Sequence, residues 1–474
     1  MVEPIVQMKR LRAHADFTAH LAALGVQLPL APAERIAATL GRPLAVGGHT
    51  VPNRFAILPM EGWDGTPDGR PTDLVRRRWQ RFGASGAGCV WGGEAVAVRP
   101  AGRANPCQLA IGARSLEDLS ELRAELLAAA PDGTIPLVGL QLTHSGRWSR
   151  PEAAPAPAIA YRHPYLDDRV GASDQHLLSD GQLDDLVADF VRAARTAAEA
   201  GFDFVDIKHC HGYLLHELLS AVERPGRYGG SLANRMRFLD EVVAGIRSHA
   251  PELMIGVRLS VFDLAPHVPG VPLVTSGYPY AFGGDGTGTG IDLREVHELC
   301  RHLTDLAIPL LCVTAGSPYY SPHVQRPAYF PPSDGYLPPR DPLYEVARLL
   351  SATSDLAHAH PELTIVASGL SYLQEWLPAV AAAVVELGDA ALVGYGRAVL
   401  SYPEIAHDVL HGQPLARERL CRTFSDCTTA PRNGLVSGCY PLDEFYKARP
   451  ERLELTRAKR AAEAARGGRR AARP

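Results

Sequence analysis

The feature that most constrains this chain is a recurring unit, in which a short apolar run gives way to an Ala/Leu/Glu-rich helical segment and then to another apolar run. The runs are AGCVWGGEA (87–95), IPLVGLQLTH (135–144), FDFVDIKHC (202–210), LMIGVRLS (253–260), PLLCVTAGS (309–317), TIVASGL (364–370) and AALVGYGR (390–397). Helical segments such as LDDLVADFVRAARTAAEA (183–200) and NRMRFLDEVVAGIRSHA (234–250) lie between several of them. Strand and helix alternating over about 350 residues define an α/β chain with a parallel sheet. Each run also ends in polar or glycine residues: Gly-Gly-Glu, Gln-x-x-His, Lys-His-Cys-His, Arg-x-Ser, Ser-Gly, Gly-Arg. A doubly wound sheet gathers its chemistry at one switch point, whereas a closed barrel spreads it over the ends of all its strands. The recurrence therefore predicts a (β/α)8 TIM barrel. No GxGxxG follows a strand, so no separate dinucleotide-binding domain is expected.

The barrel is predicted over 45–412, flanked by an N-terminal helical extension (1–44) and a C-terminal extension (413–474). The first flank alternates basic and apolar residues, as a surface helix or two would. The last, 450–474, is Arg/Ala-rich and reads as a helix fraying into disorder. Two long connections, 148–180 and 262–290, are expected to shape the mouth, and the aromatic, proline-rich stretch 317–339 reads as a wall over the site or a plain surface loop.

With 46% hydrophobic residues among 474, the chain can bury one large core or two smaller ones, and a net charge of −4 gives no reason to expect nucleic acid or an anionic membrane. The eight cysteines are scattered and read as reduced thiols. With no apolar leader and no apolar run of spanning length, a cytoplasmic protein is expected, with a small molecule as its partner.

The most specific segment is DIKHCHGYLLHELLSAVERPGRYGGSLANRMRFL (206–239). It resembles the signature of the Old Yellow Enzyme, or NADH:flavin oxidoreductase, family. Other family landmarks follow in order: NRFAILPM (53–60), GGEAVAV (92–98), LQLTHSGRWSRP (140–151), VRLS (257–260), SGL (368–370) and VGYGRAVLSYPE (393–404). The resemblance implies a barrel holding FMN, with NAD(P)H as electron donor. Pro59, Met60, Gly93 and Glu94 would lie along the flavin ring, Gln141 at its pyrimidine edge and Arg258 near N1 and O2. Ser368, Gly369, Gly396 and Arg397 would cradle the phosphate, as glycine-rich loops after late barrel strands do. Taken singly, a Gln or Arg at a strand end is ordinarily structural; the order of the set is what distinguishes it.

On the substrate side the resemblance assigns Tyr213 as proton donor and His211 as hydrogen-bond donor to a carbonyl oxygen. The position usually held by a first histidine is Lys208. A lysine there would donate to the substrate oxygen, anchor a carboxylate or phenolate, or pair with an acid such as Glu94. Tyr319, Tyr320 and His323 are candidate lid residues, with a surface loop as the alternative. Alternation along the strand turns His209 into the barrel wall. Cys210 reads as packing, and Asn234 and Arg235 as scaffold.

Larger family members carry a [4Fe–4S] cluster after the barrel on four cysteines. Here only Cys421, Cys427 and Cys439 remain, without a C-x-x-C pair, so no cluster or other metal is expected. The expected activity is hydride transfer from NAD(P)H through flavin to an activated C=C of an α,β-unsaturated carbonyl compound. The alternatives are a flavin dehydrogenase or demethylase acting on an acidic, phenolic or amine substrate, and an inactive barrel serving as a binding subunit. A homo-oligomer is expected only by analogy with the family.

Overall fold

A computed structural model describes residues 5–131, 133–268 and 277–471. Eight parallel strands close on themselves: β1 Phe55–Ile57, β2 Cys89–Val90, β3 Leu137–Thr143, β4 Phe204–Ile207, β5 Met254–Ser260, β6 Leu310–Thr314, β7 Thr364–Ala367 and β8 Leu392–Tyr395. Closure is made by β8 pairing with β1, Val393 opposite Phe55 and Tyr395 opposite Ile57. The ring has no free edge, and the (β/α)8 barrel expected from the repeats is the fold. After a turn at Trp91–Glu94 the chain pairs with β3 again through Ala95–Ala97, opposite Gln141–Thr143.

The helices between strands bury one stripe each against the sheet. Asp180–Glu199 opens with a capping box: Ser179 Oγ accepts from Gln182 N at 3.2 Å, and the Gln182 side chain accepts from Ser179 N at 2.9 Å. It buries Leu183, Leu186, Phe190, Ala193, Ala194 and Ala197, the spacing of one helical face. Its neighbour Leu232–His249 starts at Ser231 and brings Phe238 edge-on to Phe190 at 5.6 Å. Arg235 on that helix is turned to the Leu219 carbonyl and Glu295, a scaffold contact.

The two ends of the barrel differ. An antiparallel hairpin, Leu44–Val46 with His49–Val51, plugs the end where the strands begin, packing Val46 and Val51 with Cys89, Leu137, Leu310 and Leu392. At the other end the loops are long and polar. The expected outer helices of the N-terminal flank are His14–Leu24 and Ala33–Leu40. Phe17 lies flat on Trp376 (4.7 Å, 7°), whose Nε1 donates to the Leu11 carbonyl at 2.9 Å. The C-terminal flank turns back over the loop end through Asp426–Arg432 and runs out in Glu451–Ala471. That last helix is anchored by buried Leu455 and by Lys459, which reaches Asp426 at 2.5 Å. Of the segments expected to shape the mouth or to fray, 269–276 and 472–474 lie outside the described residues. Among the described residues no helix is long and apolar enough to cross a membrane.

Candidate active site

A cleft with about 1090 Å³ of open space sits where the strands end. Pro59 and Met60 reach it from β1, Gln141 from β3, Arg258 from β5, and Lys208, His211 and Tyr213 from the segment after β4. Tyr319 comes from the loop after β6, Ser368 and Gly369 from the end of β7, and Gly396 and Arg397 from the end of β8. Chain reversal explains how the β4 set converges. His211 (φ 68) and Gly212 (φ 74) are both left-handed, and a Cβ on Gly212 would lie 2.9 Å from Ser317 Oγ. The reversal aims Tyr213 back over the strand end before the short helix Leu214–Leu219 begins.

Under the cleft, one buried carboxylate organises the floor. Asp206 Oδ2 accepts from Trp91 Nε1 at 2.7 Å and from Gln141 Nε2 at 2.5 Å, while Oδ1 accepts from Arg258 N at 2.7 Å. Burial raises its proton affinity, and the bonds from Gln141 and Trp91 oppose that rise. With its N–H committed downward, Gln141 presents its carbonyl oxygen to the cleft, an acceptor for a ligand N–H.

Glu61 is the centre of the side of the cleft that holds Lys208 and Tyr213. Its Oε1 lies 2.7 Å from Lys208 Nζ, and its Oε2 accepts from Tyr213 Oη at 3.2 Å and from Trp63 Nε1 at 3.1 Å. The Lys208 ammonium also sits 4.0 Å from the Tyr213 ring centre. Tyr213 Oη is 3.1 Å from Tyr319 Oη, and Tyr319 stacks on Trp148 at 4.3 Å. Burial first, and then the Glu61 charge, push the Tyr213 phenol well above its ordinary value. Burial, then Arg258 and Lys208, push His211 well below its ordinary value, so its imidazole is neutral. Its Nε2 meets Gln325 Nε2 at 3.1 Å.

The opposite side is cationic. Arg258, Arg326 and Arg397 all line the cleft, and among the described residues none of the three pairs with a carboxylate. Arg258 Nε, Arg326 Nη2 and Arg397 Nη1 are buried atoms with no hydrogen-bond partner among the described residues. Burial, with Arg432 and Arg397 nearby, pulls Arg326 down to about 9. The C-terminal flank completes this side. Thr428 bonds to Arg326, and Arg432 lines the cleft while holding Asp334 at 2.6 Å and the Pro318 carbonyl at 3.1 Å.

Four sequence candidates lie outside the cleft lining. Glu94 is buried against Arg78 at 2.6 Å and accepts from Gly62 N at 3.0 Å. Gly93 (φ 57) packs where a Cβ would collide with Trp79. Tyr320 bonds to buried Asp263, and His323 meets Tyr336 at 2.6 Å. The Lys208 partner is thus Glu61, not Glu94. His209 is buried with Nδ1 on the Ile207 carbonyl at 2.8 Å, and burial raises the Cys210 thiol to about 12. Cys427 lines the cleft, and among the described residues no group of three His, Cys, Asp or Glu is arranged to hold a metal ion. Glu61, Trp63, Arg326, Thr428 and Arg432 were not singled out from the sequence. Glu61 had a signal, since it directly follows Pro59-Met60 at a strand end; the others belong to loops and to a flank whose docking no local pattern encodes.

Fold and site together define a (β/α)8-barrel protein with a polar cleft where its strands end. Residues 39–268 match the NADH:flavin oxidoreductase / NADH oxidase family. It is 34% identical over 221 residues to an NADPH dehydrogenase of Listeria welshimeri, a stretch covering 46% of this chain and 62% of that relative. It is 39% identical over 130 residues to 12-oxophytodienoate reductase 1 of Oryza sativa subsp. japonica, covering 26% of this chain and 34% of that one. The matched stretches thus span less than two thirds of these relatives. The fold is shared with an old yellow enzyme homologue from Zymomonas mobilis (TM-score 0.56, 22% identity, 80% of this chain and 94% of that one).

Proposed function

We propose that this protein is an FMN-dependent oxidoreductase that takes hydride from NAD(P)H and delivers it to the activated C=C of an α,β-unsaturated carbonyl compound. The observation that carries the reading is the set of three cleft arginines that have no carboxylate partner among the described residues. Their three positive charges equal the charge of a phosphate dianion plus an anionic reduced flavin, and buried cations require such partners. Arg397 and Arg326, with the Ser368-Gly369 turn, would hold the phosphate, and Gly369 (φ 83) supplies a backbone turn that other residues resist. Arg258 and the Gln141 carbonyl would meet the polar edge of the ring, with Pro59 and Met60 along its face. When bound, FMN supplies the acceptor and donor of hydride.

The chain's own residues handle the oxygen and the proton. A carbonyl oxygen entering beside His211 and Lys208 meets donors aimed at the site where negative charge develops. Neutral His211 accepts from Gln325 at Nε2, which leaves its proton on Nδ1 to give a hydrogen bond without being lost. Tyr213 keeps its proton at neutral pH because its phenol is shifted upward, and Tyr213 Oη is the proton source for the carbon next to the carbonyl. Tyr319, stacked on Trp148, closes that end against water.

The test is an anaerobic absorbance spectrum of the purified protein before and after NADH, then NADPH. The expected result is a flavin spectrum, bleached by one of the nucleotides and restored by an enone such as cyclohexenone. Flavin that neither nucleotide bleaches would overturn the NAD(P)H route, and a chain that takes up no FMN would overturn the whole reading.

A further inference from the structure

Glu61 holds no part of the flavin and gives no proton itself, although it accepts from Tyr213, and among the described residues lining the cleft it is the only acid. We propose that Glu61 selects the charge of the substrate. By pairing with Lys208 it cancels the charge of that ammonium, so the site takes an uncharged conjugated carbonyl compound and disfavours phenolates, carboxylates and protonated amines. The inference deepens the function proposed above and rests on it.

Three observations carry it. The pair is enclosed, with the Lys208 side chain 3% exposed and that of Glu61 17% exposed, so solvent does little to screen its charges. The Glu61 carboxylate is fixed by three donors, Lys208 at 2.7 Å, Trp63 at 3.1 Å and Tyr213 at 3.2 Å, so an entering anion cannot displace it by breaking one bond. The third polar group at this end, His211, is neutral through burial and the nearby cations. An unpaired Lys208 would attract a phenolate or carboxylate. Paired as it is, an anion reaching Lys208 comes to rest beside a like charge, and a protonated amine comes to rest beside the Lys208 ammonium. A neutral carbonyl oxygen escapes both, because the ammonium has further N–H donors besides the one given to Glu61.

The test uses FMN-loaded protein and 4-nitrophenol, a ligand that passes from neutral to anionic over an accessible pH range. Binding is measured by equilibrium dialysis on both sides of its ionisation, with uncharged 4-nitroanisole as control for pH effects on the protein. The native chain is expected to bind the phenolate about 10-fold or more weakly than the phenol, while nitroanisole binding stays level. Glu61→Gln reverses the preference by about 10-fold or more, and adding Lys208→Met removes that gain. A native chain that binds phenolate as tightly as phenol overturns the assignment without recourse to any variant. The same preparation is first treated with NADH and NADPH. If it is not bleached, the hydride reading fails. If it is bleached and binds both forms of nitrophenol equally, the role given to Glu61 alone fails.

Discussion

Arg326 shows how a single residue can be costly to the empty fold and useful to the loaded one. Burial and the neighbouring Arg432 and Arg397 pull its pKa down from the ordinary arginine value to about 9. Between those two values the unfolded chain binds more protons than the flavin-free fold, so this group's contribution to stability rises with pH across the window. Below about 9 both states are protonated and the full penalty is present. Arg326→Met should therefore raise the melting temperature of flavin-free protein at pH 7 by about 1–2 °C. The same change should weaken FMN binding by about 10-fold, because a charge-assisted contact to phosphate is lost. Differential scanning fluorimetry and fluorescence titration with FMN read the two effects separately. A fall in both quantities would mean that Arg326 is a structural cation. Residues of this kind were the least legible in the sequence. Gln141, Arg258, His211 and Tyr213 stand at strand ends inside ordered motifs, whereas Arg326 stands in a proline-rich loop where nothing local separates a buried guanidinium from a solvated one.

At the level of elements, the strands and their connecting helices followed from periodicity, because a β/α unit is specified by residues close in sequence. The cover over the mouth was not, because it is built by two segments about a hundred residues apart that interlock through side chains. Ser425 Oγ donates to the Phe330 carbonyl at 2.6 Å, Thr423 Oγ1 accepts from Tyr329 N at 3.1 Å, and Thr429 Oγ1 accepts from Ser333 N at 3.2 Å. Arg432 is the clasp, holding Asp334 and the Pro318 carbonyl and lying 5.7 Å from the Tyr319 ring centre. Arg432→Ala should leave the barrel folded while loosening the 317–339 loop. Limited proteolysis within that loop should speed up about 5-fold or more, and the KM for the carbonyl substrate should rise with little change in the rate of flavin reduction. Unchanged proteolysis would show that the threonine and serine bonds suffice. The three remaining cysteines sit in this cover: Cys421 and Cys427 are half-buried and Cys439 is buried, and burial raises the proton affinity of all three thiols.

Over the whole molecule, stability and chemistry are separated along the barrel axis. The hairpin seals one end with Val46 and Val51, the polar cleft opens at the other, and Asp206 with Trp91 marks the level where apolar filling gives way to hydrogen-bonded floor. The indoles follow this division unevenly. Of the five tryptophans, Trp63 lines the cleft, Trp148 backs Tyr319, Trp91 is tied to the floor and Trp79 fills the space under Gly93. Trp376 belongs to the N-terminal packing. A yellow chromophore settling in the cleft would drain excited-state energy from the indoles gathered around it. Ultraviolet-excited emission should therefore dim by more than half on loading and return on release, giving this chain an unlabelled optical gauge of its own occupancy.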